Sequence, residues 1–131
     1  MNIKPIVRYI LLSEDFVLDP FDRHQITVVN LRASYRVIDD DYPALIEQIC
    51  CVLAVTDARG RGIMRVRCID EESEQIVFSS GIHDVVLTED PLELTIIPFR
   101  IRDCRFPKPG VYSFQVLWNG DVLESCPLRM R

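Results

Sequence analysis

Apolar segments recur along the chain at intervals of roughly ten to fifteen residues, separated by polar stretches that hold proline, glycine or aspartate, a spacing that predicts a β-sandwich or barrel. The first segment, Ile6 to Leu12, is a continuous apolar run with one charge, Arg8, and reads as a strand buried on both faces. Ser13 to His24 carries Pro20, acidic residues and two phenylalanines, and reads as a long connection. Gln25 to Tyr35 follows, with Ile26, Val28 and Leu31 as core candidates. Ile38 to Pro43 holds three consecutive aspartates and reads as a loop. Leu45 to Thr56 fits both a helical stripe and a strand. Its β-branched residues and the following turn, Asp57-Ala58-Arg59-Gly60, favour a strand from about Gln48, with room for a helical turn before it.

From Ile63 to Asp70, Met64, Val66 and Cys68 alternate with Arg65 and Arg67, the signature of a strand with one wet face. Glu71-Glu72-Ser73-Glu74 is a turn, and Gln75 to Ser80 returns as the partner strand. In Leu92 to Arg102 the apolar phase moves from Leu92, Leu94 and Ile96 to Ile97, Phe99 and Ile101. A bulge or bend near Pro98 is the expected cause. Asn119-Gly120 suits a two-residue type I′ turn, because both central residues must take φ > 0. It joins Val111–Trp118 to Asp121–Arg131 in a hairpin. With that turn Val116 faces Leu123 and Phe114 faces Ser125. Leu128 and Met130 then share the inner face only if Pro127 sits at a bulge, which also marks the last strand as an edge or ends it there.

Composition narrows the class. A chain of 131 residues is one domain, residues 1–131, with 48% hydrophobic and 27% charged residues. No stretch approaches the roughly 18 apolar residues of a membrane span. The N-terminal segment lacks the pattern of a signal peptide. A net charge of −5 argues against nucleic acid as a partner. The five cysteines, Cys50, Cys51, Cys68, Cys104 and Cys126, are odd in number and lack the short spacings of a zinc site, so they read as reduced core thiols in a cytoplasmic protein.

Candidate chemistry is sparse. His24 and His83 each stand beside an aspartate, Asp22 and Asp84, and an aspartate can orient an imidazole base. Asp39-Asp40-Asp41 and Glu71, Glu72 and Glu74 are acidic clusters without the spacing of a calcium loop. Arg59-Gly60-Arg61-Gly62 lacks the Lys-Ser/Thr of a phosphate loop. Two basic groups stand against the acidic background, one around Arg65 and Arg67 and one around Arg100 and Arg102. On neighbouring strands they would form a guanidinium band able to bind an acidic peptide or a nucleic-acid backbone.

Val66 to Ile69 with its acidic turn and Val77-Phe78, then Ile97-Pro98-Phe99-Arg100-Ile101, then Phe106-Pro107 with Pro109-Gly110-Val111-Tyr112, then Asn119 to Leu123 and Pro127-Leu128, resemble a family of small bacterial all-β proteins of unknown function. The resemblance covers roughly the last two thirds of the chain and rests on turn and core positions. It implies a bacterial, cytosolic β-sandwich and supplies no catalytic residues.

The expected fold is therefore all-β: a single sandwich of about seven or eight mostly antiparallel strands, immunoglobulin-like or Greek-key. The expected function is a non-enzymatic protein-interaction or structural module with no cofactor and no metal. Its partner is another protein or a second copy, met through an edge strand such as Ile6–Leu12. Arg65, Arg67, Arg100 and Arg102 are the candidate binding residues. The alternative is a hydrolase or ligand-binding enzyme using loop carboxylates or His83. A third reading is a carbohydrate-binding module with Trp118, Tyr112 or Tyr42 as stacking platforms.

Overall fold

A computed structural model describes residues 4–22, 24–57, 59–87, 90 and 92–131. Its described elements are ten strands and one short 3-10 turn: β1 (Ile6–Leu18), β2 (Ile26–Leu31), β3 (Ser34–Tyr35), the turn at Ile38–Asp40, β4 (Ala44–Thr56), β5 (Gly60–Asp70), β6 (Ile76–Ser79), β7 (His83–Leu87), β8 (Thr95–Phe106), β9 (Gly110–Trp118) and β10 (Asp121–Met130). They form two sheets. One has the order β2-β1-β4-β8. The other has the order β3-β10-β9-β5-β6, with β7 also on β5. Every pairing is antiparallel except β3 on β10. The all-β sandwich is thus present, with more strands than the seven or eight expected, because β3 and β7 are short pieces that alternation does not announce.

The inner faces follow the period-two rule. Ile49, Cys51, Leu53 and Val55 of β4, and Ile97, Phe99 and Ile101 of β8, pack against Met64, Val66 and Cys68 of β5 and Tyr112, Phe114, Val116 and Trp118 of β9. Phe106 meets Tyr112 edge-on at 4.9 Å between ring centres, within the favoured range for aromatic pairs. The turn before β9 is tied down by the Tyr112 hydroxyl, which donates to the Lys108 carbonyl at 2.6 Å.

Three local readings need correction. β1 does not stop at Leu12 but runs to Leu18, pairing β4 through Ser13 and β2 from Ser13 onward. β4 begins at Ala44, so residues 44–47 are strand rather than a helical turn, and the one short 3-10 turn before it lies at Ile38–Asp40. β8 shows no register slip at Pro98, which lies opposite Val52 on the sheet's edge strand. The apolar phase changes there because Ile96 points outward into a second, smaller cluster with Phe16, Cys50 and Val52. The inward phase of β8 changes once more at Asp103, whose φ of +55° sits between buried Ile101 and buried Cys104, while the register against β4 is the same on both sides of it. Aspartate tolerates that left-handed conformation better than most side chains.

The closing hairpin forms at Asn119 (φ +49°) and Gly120 (φ +90°), as a type I′ turn requires. Its bulge falls at Leu123 rather than at Pro127, because the pairing passes from Leu117–Val122 to Val116–Glu124. Phe114 then faces Cys126, and Leu128 and Met130 reach the core. Among the described residues β10 has no hydrogen-bonded strand on its outer side up to Leu128, and β3 pairs with Arg129 and Met130. No helix of the described residues is long and apolar enough to cross a membrane.

Candidate functional site

β5 and β8 belong to different sheets, so the two arginine pairs do not make one band. Arg65 and Arg67 project from the outer face of the larger sheet, because Met64, Val66 and Cys68 take the inner one. Their neighbours across β9 are Leu117 and Gln115. Arg67 donates through Nε to Gln115 Oε1 at 2.7 Å, which aims its guanidinium outward. Arg65 makes no ion pair among the described residues. It lines a shallow cleft of about 400 Å³ with Ile63, Leu117, Asn119 and Gly120. The wall of this cleft is fixed: Ile63 N–H donates to Asn119 Oδ1, and Asn119 N–H donates to the Ile63 carbonyl, both at 2.9 Å.

Arg100 and Arg102 project from the outer face of the smaller sheet, opposite Cys50 and Gln48. Arg100 is engaged. Its Nη2 donates to the Phe16 carbonyl at 3.0 Å and to Asp15 Oδ1 at 3.2 Å, and its guanidinium lies 3.9 Å from the Phe16 ring centre. The Phe16 N–H and the Arg100 guanidinium together hold the Asp15 carboxyl below the usual aspartate range. Arg100 therefore closes a small apolar cluster on a face where polar residues are the rule. Arg102 makes no ion pair among the described residues.

The N-terminal half of β1 is the second candidate. From Ile6 to Ser13 it pairs with β4 on one side. On the other side β2 begins only at Ser13, so Ile6–Leu11 has no strand neighbour there among the described residues. A bulge falls at Arg8, whose guanidinium turns to Asp57 (2.6 Å) and Thr56 (2.7 Å) at the end of β4. Regular pairing resumes at Tyr9. Tyr9 is 61% exposed, while Ile10 and Val7 lean on the core.

The other candidates do not assemble into sites. His83 stacks on Phe99 with ring centres 4.2 Å apart, so it serves as packing. His24 Nε2 lies 2.7 Å from Glu93 Oε1, and its Nδ1 lies 3.6 Å from Asp22, in an exposed link between connections. Asp39 to Asp41 lie on and just after the 3-10 turn. Glu72 joins Lys108, at 3.0 Å, in a cluster with Asp70. No group of three or more His, Cys, Asp or Glu side chains is placed to hold a metal among the described residues. Trp118 and Tyr112 are core residues, and Tyr42 packs against the core, so none offers a stacking platform. All five cysteines are free. Burial pushes the Cys104 thiol up to about 12 and raises those of Cys50, Cys51, Cys68 and Cys126, which makes them poor nucleophiles.

No curated protein matches this chain. Among solved structures, the chain is similar to the Pseudomonas fluorescens alkylpurine DNA glycosylase AlkC bound to DNA containing an abasic site analog. That match has 17% identity and a TM-score of 0.45, and spans 76% of this chain and 27% of the glycosylase chain. A family model matches residues 33–131, from just before β3 to the end of β10. The chain belongs to that family, DUF6941, a family of unknown function.

Proposed function

We propose that this domain is a non-enzymatic structural module that assembles through the free edge of β1, pairing Ile6–Leu11 with the same strand of a second copy. The observation that carries the reading is the early end of the β2 pairing, which leaves Ile6–Leu11 without a hydrogen-bonded strand on one side among the described residues. An edge of that kind is a template for strand addition. Two of the other edges are blunted. β8 carries Pro98, and β10 carries the Leu123 bulge and Pro127. The β1 edge holds no proline, and its one charge is bent back onto Asp57. A two-fold axis sets such an apolar run against itself in an isologous contact. Free thiols throughout the core support a reducing, cytoplasmic setting for this assembly.

Sedimentation velocity across a wide concentration range tests the reading. The expected result is a reversible monomer–dimer equilibrium that Tyr9→Lys weakens by about tenfold or more, roughly 1.4 kcal/mol. Tyr9 is the residue to change, since Val7 packs against the core and its replacement would disturb the fold. A protein that stays monomeric at every concentration contradicts the proposal.

A further inference from the structure

We infer that the outer face of β5 binds an acidic extended segment of a protein partner, with carboxylates on Arg65 and Arg67 and an apolar side chain over Ile63 and Leu117. This site lies on the larger sheet, away from the β1 edge, and does not depend on assembly there.

Ile63, Arg65 and Arg67 follow one another at alternate positions of one strand and face the same way. Same-face residues of a strand repeat about every 6.6 Å. A segment lying extended along β5 has the same repeat, so carboxylates two residues apart fall on the two guanidinium groups. The next side chain in that register falls on Ile63, which is 46% exposed, and on the cleft beside it.

Both arginines are prepared for an anion. Arg67 is oriented by one bond from Nε to Gln115, and its two terminal nitrogens make no hydrogen bond among the described residues. A guanidinium held by one edge offers the other for a two-point contact with a carboxylate. Arg65 has no ion pair among the described residues, although the chain holds 20 acidic residues against 15 basic ones. The cleft floor is Leu117, which is 6% exposed on the outer face, and Trp118 fills the opposite side of the same strand. The reciprocal bonds between Ile63 and Asn119 hold the cleft open before any ligand arrives, which lowers the ordering cost of binding. A nucleic-acid backbone carries a charge at every nucleotide and is repelled by the net charge of −5 more strongly than a short segment with two carboxylates, which the two guanidinium groups can neutralise, so an acidic peptide is the favoured ligand.

The test is fluorescence anisotropy with labelled, end-blocked peptides Glu-Ser-Glu-Ser-Leu and its reverse, against the same peptides with Gln in place of Glu. One Glu peptide is expected to bind at least tenfold more tightly than its Gln counterpart, with affinity falling as salt rises. R65A/R67A is expected to remove at least tenfold of that affinity, while Arg102→Ala on the other sheet leaves it unchanged. All three positions are at the surface, and matching circular dichroism spectra will show that the variants fold. The inference is overturned if neither Glu peptide binds better than its Gln control. It is also overturned if Arg102→Ala weakens binding as much as the double variant, or if a labelled thymidine oligonucleotide binds more tightly than both peptides.

Discussion

The Trp118 indole occupies the space where Gly62 would carry a side chain: a Cβ built on Gly62 falls 2.3 Å from both Cη2 and Cζ2 of the ring. Gly62 points inward on β5, and Trp118 sits on β9 one register step along, opposite Met64. The glycine is therefore required by a close approach of a ring rather than by a turn. Gly62→Ala is expected to lower stability by about 2 kcal/mol, the range for overpacking in a closed core. Urea unfolding followed by Trp118 fluorescence measures it. An unchanged midpoint would show that the ring moves aside freely.

Asp70 anchors the turn between β5 and β6. It accepts the Glu72 N–H at 2.9 Å and lies 3.4 Å from Lys108 Nζ. Burial alone would raise its carboxyl, but the Glu72 N–H and Lys108 outweigh burial and hold it below the usual range. Glu14, bonded to Asn30 and Arg32, is lowered as well. A lowered carboxylate stabilises the fold above its unfolded value, near 4, and loses that contribution as pH falls through its folded value. Stability should therefore be level above about pH 5 and decline below pH 4. Asp70→Asn should be less stable at neutral pH and decline less steeply in acid. Urea midpoints measured between pH 7 and pH 2 check both.

The thiols offer a test of packing. With all five pushed upward by burial, the thiolate fraction at pH 8 is small. In the native protein only the half-buried Cys126 should react with Ellman's reagent, and slowly. All five should react at once in guanidinium. Rapid native reaction of a second thiol would contradict the packing described.

How much was legible in the residues depends on which signal carried each element. The β9–β10 hairpin could be read because Asn119-Gly120 demands one turn type, and β5 because its arginines alternate with core residues. The bulge at Leu123 was predicted as a device but placed at Pro127, because nothing local to Leu123 marks it. β7 was missed: Val85, Val86 and Leu87 show no alternation, although Val86 is exposed between two buried neighbours. The end of β1 was missed because Phe16 is buried on an outer face, under Arg100, where period-two reasoning expects a polar residue. The arginine pairs were each found, but their separation onto two faces depends on strand order, which alternation within a strand does not encode.

The outer cluster makes its own prediction. Phe16 is 4% exposed, with Arg100 stacked over its ring. Phe16→Ala should cost about 3 kcal/mol, at the low end for a buried aromatic since one side of the site can collapse. Arg100→Ala should cost about 1 kcal/mol or less, as expected for an exposed guanidinium on a ring and a carboxylate. Urea unfolding of both variants gives the order. An Arg100 effect equal to that of Phe16 would show that the cluster is held by charge rather than by burial.

The proposed assembly is tested most directly at the backbone of β1. Amide hydrogen exchange of Tyr9, Ile10 and Leu11 should be followed by nuclear magnetic resonance at low and high protein concentration. Half of the amides in this stretch already bond to β4, and the rest point to the open side. Strand pairing between copies predicts that these outward amides gain protection as concentration rises, while those of β2 do not. Exchange at Tyr9 to Leu11 that is the same at every concentration would contradict the account.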